Sequence, residues 1–321
     1  MVTLPSSAQS HAATPAMVAL EGPRTEERFW EFFGVTIRNR NTRRAYMQAI
    51  SVFFAEMSAR GIQRLSEVRP LHVAAHIETL GQTHSAATVK LRLAAVRMLC
   101  DWLVAGQVLE VNPAASVRGP RLVVRRGTTP ALVQEDMRQL LSSLRTDSLV
   151  GLRDRAFLGL LAYTFARVGA ATTMRVEDVY PVGRRSWVRL REKGGKILDL
   201  PAHHNLEAWL HDYIDASGIA EDRSGWLFRA AIGRSGRLSE RPLLARNALD
   251  LVRRRARDAG IAVPGLCVHS FRATGITTYL QAGGSLEMAQ SIAGHANPRT
   301  TKLYDRSSDA VTLDEVERIM F

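Results

Sequence analysis

The chain has 321 residues, 46% of them apolar, which is long enough for two domains with separate cores and too apolar for a disordered protein. Its 43 Lys and Arg against 31 Asp and Glu leave a net charge of +12 and point to a polyanionic partner, nucleic acid before an acidic membrane surface. No stretch approaches the roughly 20 consecutive apolar residues that span a bilayer, and two cysteines with scattered histidines make neither a disulfide framework nor a zinc-ligand pattern, so no metal site is expected.

Residues 1–24 lack a basic start followed by an apolar block, so no signal peptide is read there and a flexible tail is expected. Over 25–112 apolar residues recur at helical spacing, interrupted at Gly61, Pro70 and 82–85, which predicts an N-terminal domain of four helices. Thr42 is the expected N-cap of a helix whose Tyr46, Ile50, Phe53 and Phe54 form an apolar stripe, with Arg43 and Arg44 at its exposed start. A helix over 88–104 buries Val89, Leu93, Val96 and Leu103 and carries Lys90, Arg97 and Asp101 elsewhere. That second face is either laid in a DNA groove or simply solvated. Residues 113–130 hold three prolines, two glycines and Arg118, Arg121, Arg125 and Arg126, an extended basic linker suited to tracking phosphates. Cys100 and Cys267 read as reduced core thiols of a cytosolic protein.

The second domain, 131–321, begins with helices to about residue 179. A strand pair follows over 186–190 and 197–200 around Gly194 and Gly195, and helices resume to the C-terminus. His203, His204 and His211 lack an acidic or thiol partner at ligand spacing and read as a solvated helix start. The segment LLARNALDLVRRRARDAG sets Leu244, Ala248, Leu251 and Val252 on one side of a helix and Arg246, Arg253, Arg254 and Arg257 elsewhere. Near the end, Thr312 with Glu315 makes a capping box before the stripe Leu313, Val316 and Met320. So short an amphipathic helix is not stable alone and must dock somewhere.

The chemistry concentrates in the last fifty or so residues. His269 and Arg272, three apart on a helix, project from one side and can reach the oxygens of one phosphoryl group. Gly294-His295 follows, then Asn-Pro-Arg-Thr-Thr, a turn with a capping hydroxyl, then Tyr304. Upstream, Arg167 lies beside small residues at a helix end, and Lys193 sits at the tip of the strand pair. Each has an ordinary reading in isolation: a core histidine, a packing tyrosine, a solvated hairpin lysine. In this order, however, HSFRATGIT, GHANPRTTKLY, LLAYTFARVGAATTMRVEDV and REKGGKILDLP resemble the boxes of the tyrosine recombinases, or phage integrase family, over about residues 25–321.

That resemblance implies a mainly α fold with a small antiparallel β-sheet in the catalytic domain and a SAM-like N-terminal helical domain, the two forming a C-shaped clamp on duplex DNA. It implies a site-specific recombinase in which Arg167 and Arg272 hold the phosphate, and His269 and His295 orient it and move protons. Lys193 protonates the leaving 5′ oxygen, and Tyr304 forms a 3′-phosphotyrosyl link, with neither ATP, cofactor nor metal required. Arg43, Arg44, Lys90, Arg97, Arg118, Arg121, Arg125, Arg126, Arg246 and Arg253 are the expected DNA contacts. Implied partners are double-stranded DNA with inverted-repeat core sites, further copies in a tetramer joined through the C-terminal helix, and accessory bending or directionality factors. The length resembles compact Xer-type enzymes and mobile-element integrases of the cytoplasm. Ala170 departs from the family pattern, which has there a carboxylate that braces the histidine and arginine. Type IB topoisomerase activity, or a non-catalytic DNA-binding regulator, are the alternatives.

Overall fold

Two 20-residue helices, α3 (Arg40–Ala59) and α5 (Ala86–Ala105), frame the N-terminal unit. The computed structural model describes residues 14–122, 127–192, 194–233, 235–305 and 317. It divides into units spanning 1–123 and 124–321, a boundary inside the expected linker. The N-terminal unit also holds α1 (Ala16–Ala19), α2 (Pro23–Glu31) and α4 (Pro70–Thr83), with a π-helical turn over Phe32–Thr36. Its core joins Ile50, Phe53 and Phe54 to Val89, Leu93, Val96 and Leu103, as the stripes predicted.

Three expectations for this unit are corrected. The tail was expected to reach residue 24, yet the chain is packed from Thr14 on, because Met17 and Val18 bury fully in the helical core. Asn39, not Thr42, caps α3: its amide oxygen accepts from the backbone N–H of Asn41 and Thr42 at 3.0 and 3.1 Å. The linker was expected to begin extended at 113, but Ala114 and Val117 belong to the N-terminal core.

The C-terminal unit is built on α7 (Leu149–Thr164), which is buried on every side, the ion-paired Arg153 and Asp154 included, and therefore gives no single apolar stripe: Ala156, Phe157, Leu158, Leu160 and Leu161 are all fully buried. Around it lie α6 (Gln134–Ser142), α8 (Val168–Thr172), α9 (His204–Ser217), α10 (Ala245–Asp258) and α11 (Val268–Gln281). Two short helices, α12 (Leu286–Ala293) and α13 (Pro298–Lys302), complete it. The sheet has three antiparallel strands in sequence order, β1 (Val179–Val182), β2 (Arg185–Arg191) and β3 (Ile197–Pro201). β2 and β3 are the predicted pair, in register from Trp187 opposite Pro201 to Arg191 opposite Ile197.

A second hairpin, β4 (Arg229–Ala231) with β5 (Leu238–Pro242), replaces part of the region expected to be helical. Its strands are three and five residues long and lack apolar alternation, so the sequence carries no strand signal there. On α10 the buried stripe is Ala248, Leu251, Val252 and Ala256. Leu244, assigned to that stripe, is the N-cap residue and 45% exposed, because a residue ahead of the first turn has left the helical phase.

Candidate active site

Backbone geometry at the end of α7 sets the site. Phe165 takes the left-handed conformation at φ 54°, rare for a residue with a side chain, and stops the helix. Two residues later Arg167 occupies the N-cap position of α8, with extended backbone and its side chain half exposed. α11 runs against α7, and Gly275 permits the approach: a Cβ there would lie 2.4 Å from the Phe165 ring and 2.7 Å from the Ala162 carbonyl oxygen. Arg272, one turn earlier on α11, is 1% exposed and donates to the carbonyls of Phe165 and Ala293. The strained turn and the last turn of α12 thus fasten one guanidinium.

His269 lies on the same face of α11 as Arg272 and reaches the surface. Its Nε2 stands 2.7 Å from the Tyr304 hydroxyl. α12 ends at Gly294 with φ 59°, which turns the chain and drops His295 into the interior at 5% exposure. There Nδ1 meets the Thr301 hydroxyl at 2.8 Å, and the ring stacks on Tyr304 with planes 9° apart. Asn297 caps α13 through its amide oxygen, so the cap is an amide and the threonine hydroxyl assigned to that turn serves the histidine instead. Tyr304 follows α13, its ring in a small core with Phe165, Ala273, Ile276, Ala289 and Ala293. The Leu303 carbonyl accepts from the Gly127 N–H at 3.0 Å, and the Thr277 hydroxyl donates to the Tyr304 carbonyl at 3.1 Å.

Electrostatics follow from putting cations in a confined place. Burial, then the charges of Arg272 and Arg167, push the His269 imidazole down from its ordinary value. The same causes, with His269 and Lys196 added, drive His295 down to about 3. Burial and Arg167 lower Arg272 to about 10. Burial raises the Tyr304 phenol despite the opposing pull of both arginines. Two neutral imidazoles, one protonated phenol and two guanidiniums therefore share one pocket around neutral pH.

Five of the six predicted catalytic residues, Arg167, Arg272, His269, His295 and Tyr304, are linked by electrostatic interactions, and His269 also meets the Tyr304 hydroxyl. Lys193 lies outside the described residues, as do Arg125, Arg126 and residues 308–316 and 318–321. Among the expected DNA contacts, Arg44, Lys90, Arg118, Arg121, Arg246 and Arg253 are exposed. Arg43 and Arg97 differ in being half-buried and bonded to backbone. Arg43 donates to the Ile37 carbonyl at 2.9 and 3.2 Å, and Arg97 holds the carbonyls of Ala114 and Val117 at 3.1 and 2.7 Å. Cys100 is buried, and its thiol is pushed up to about 12, chiefly by that burial. Cys267, expected in the core, is half-buried at the N-cap of α11. His203 caps α9 with Nδ1, and no cluster of His, Cys, Asp or Glu among the described residues could hold a metal ion.

Sequence reasoning passed over Glu192, whose buried carboxylate pairs with Arg167. The available signal was an acidic residue immediately before Lys193, where the resembled element has glycine.

Residues 130–310 match the phage integrase family and residues 27–107 its N-terminal SAM-like domain. The tyrosine recombinase XerC of Escherichia coli O127:H6 is 30% identical over 264 residues, covering 80% of this chain and 82% of that protein. In fold, the chain is similar to the XerH site-specific recombinase bound to its difH substrate, with TM-score 0.66 and 18% identity over 86% of this chain and 78% of that one. A lambda integrase dimer bound to a COC′ core site gives TM-score 0.67 and 16% identity over 95% and 85% of the two chains. The chain belongs to the phage integrase family and is a site-specific DNA recombinase of the tyrosine type. Among the described residues no helix is long and apolar enough to cross a membrane.

Proposed function

We propose that Tyr304 is the nucleophile, attacking a backbone phosphorus held by Arg167 and Arg272. The observation that supports this most is the phenol's position, 2.7 Å from the His269 Nε2 and stacked on His295. A neutral His269 takes the phenolic proton as the tyrosine oxygen bonds to phosphorus. The charge gathering on the non-bridging oxygens falls to guanidinium donors, which are bidentate and always charged. The P–O5′ bond breaks, and Lys193 gives the departing 5′ oxygen its proton. The 3′-phosphotyrosyl link conserves the bond until a 5′ hydroxyl from another strand attacks it and returns the phenol.

The substrate class is duplex DNA with paired inverted core sites, exchanged through a Holliday junction by a tetramer. Lambda integrase has been solved as a tetramer on such a junction. An apolar hollow of about 580 Å³ among α6, α7 and α11, lined in part by Met137, Leu141, Phe165, Tyr279 and Ile292, is where residues 308–321 of a neighbouring copy would dock. Accessory factors, and a cytoplasmic place beside the bacterial chromosome, belong to the same reading. A nicked suicide substrate tests the chemistry: wild type should accumulate a covalent DNA adduct and Tyr304→Phe none. Adduct formation by the Phe variant would remove Tyr304 from the role, and deletion of 308–321 with full tetramer formation would remove the docking.

A further inference from the structure

The Arg167 guanidinium starts a helix with no side-chain cap and is 37% exposed, so as a long cationic side chain it has little packing to fix its direction. One partner does fix it: Nη1 donates to Glu192 Oε2. Glu192 is a costly residue to place there, since its side chain is 2% exposed and its second oxygen, Oε1, has no hydrogen-bond partner among the described residues. Its position is set from two sides. Its N–H donates to the Lys196 carbonyl at 2.7 Å, closing the hairpin between β2 and β3, and its Cγ packs under Gly294, where a Cβ would come within 3.9 Å. The carboxylate is also felt across the pocket, raising Arg272 against the push of Arg167. On α8 itself, Ala170 is buried and offers no acceptor.

We propose that Glu192 is a positioning residue of the recombination reaction, holding Arg167 in the orientation a phosphate requires and supplying from the hairpin the carboxylate that α8 lacks at Ala170. The proposal rests on Arg167 acting as a phosphate clamp. It ties the clamp, through adjacent backbone, to the hairpin that carries Lys193 in the sequence. The carboxylate does not touch the reacting atoms; it works through the guanidinium, and its negative charge tempers a pocket otherwise crowded with cations.

The test is single-turnover cleavage of a nicked suicide substrate by Glu192→Gln, Arg167→Lys and the double variant, with DNA affinity and Tm measured for each. Gln keeps the shape and removes the charge. Glu192→Gln should slow cleavage at saturating DNA on the order of 10- to 100-fold with affinity and Tm close to wild type, as expected for a misoriented catalytic group. In the Arg167→Lys background the same change should add little, because the orientation it protects is already lost. Wild-type cleavage by Glu192→Gln, fully additive losses in the double variant, or a Gln variant that no longer folds would each overturn the proposal, the last by placing Glu192 in the structural core. Arg167→Ala serves as the control: if it cleaves like wild type, the clamp reading itself has failed, whereas an inactive Arg167→Ala beside an active Glu192→Gln removes Glu192 alone.

Discussion

Acidifying the DNA-free protein to about pH 5 should leave His295 uncharged, although a histidine at its ordinary value of 6.5 would then be roughly 97% protonated. Burial lowers this imidazole to about 3, and the charges of Arg272 and Arg167 act in the same direction. At about 3 the protonated fraction at pH 5 is roughly 1%, and even one unit higher it stays below roughly 10%. The sign for stability follows. A base whose native value is depressed binds fewer protons folded than unfolded, so stability is complete above 6.5 and declines as pH falls from there towards 3. By pH 5 the loss is about 1.5 units times 1.36, or about 2 kcal/mol. Histidine ring resonances followed by carbon-detected NMR, assigned with His295→Asn, give the direct reading, and the pH dependence of unfolding in the same pair gives the energetic one. A His295 midpoint between about 6 and 7 would refute the reasoning, since burial beside two guanidiniums leaves no room for an ordinary value. The measurement is made without DNA because a bound phosphate would offset the arginines.

Arg272→Lys should abolish adduct formation and also lower Tm by at least about 2–4 °C, since one ammonium cannot serve the carbonyls of Phe165 and Ala293 as the guanidinium does; an unshifted Tm would show that the anchoring is idle. Gly275→Ala should destabilise the catalytic unit by about 1–3 kcal/mol by driving a methyl into Phe165 and the Ala162 carbonyl, measured by denaturant unfolding. Arg246→Ala, on the exposed face of α10, should reduce the slope of log affinity against log salt by about 0.9 and weaken all sequences alike. A slope equal to that of wild type would take α10 off the DNA.

The placing of His269, Arg272 and His295 was readable because local geometry encodes it. His269 and Arg272 share a helical face by spacing alone, and Gly294 marks the turn that sends His295 inward. The N-terminal stripes were readable for the same reason. What escaped depended on distant partners or on the absence of pattern. Glu192 meets Arg167 only because β2 folds back beside α8, and Thr301 looks like a cap until His295 arrives. α7 is buried all round, its Arg153 and Asp154 included, so its phase says nothing about which side faces α11. Arg43 and Arg97 look like any surface arginine in sequence, and only the tertiary approach of Ile37, Ala114 and Val117 commits them to carbonyls. Asn39 outcompeted Thr42 as the cap by lying at the true edge of α3, a boundary that spacing leaves uncertain by a turn.

Arg272 is at once among the most deeply enclosed side chains of the protein and one of the two arginines proposed to hold the phosphate. The desolvation of its charge is therefore met during folding, and on that proposal the receptor for the anion stands rigid before any DNA arrives. Natural variation feels this fusion of roles. A change at that codon should cost stability together with the proposed chemistry, whereas the two separate at the oxygen of Tyr304.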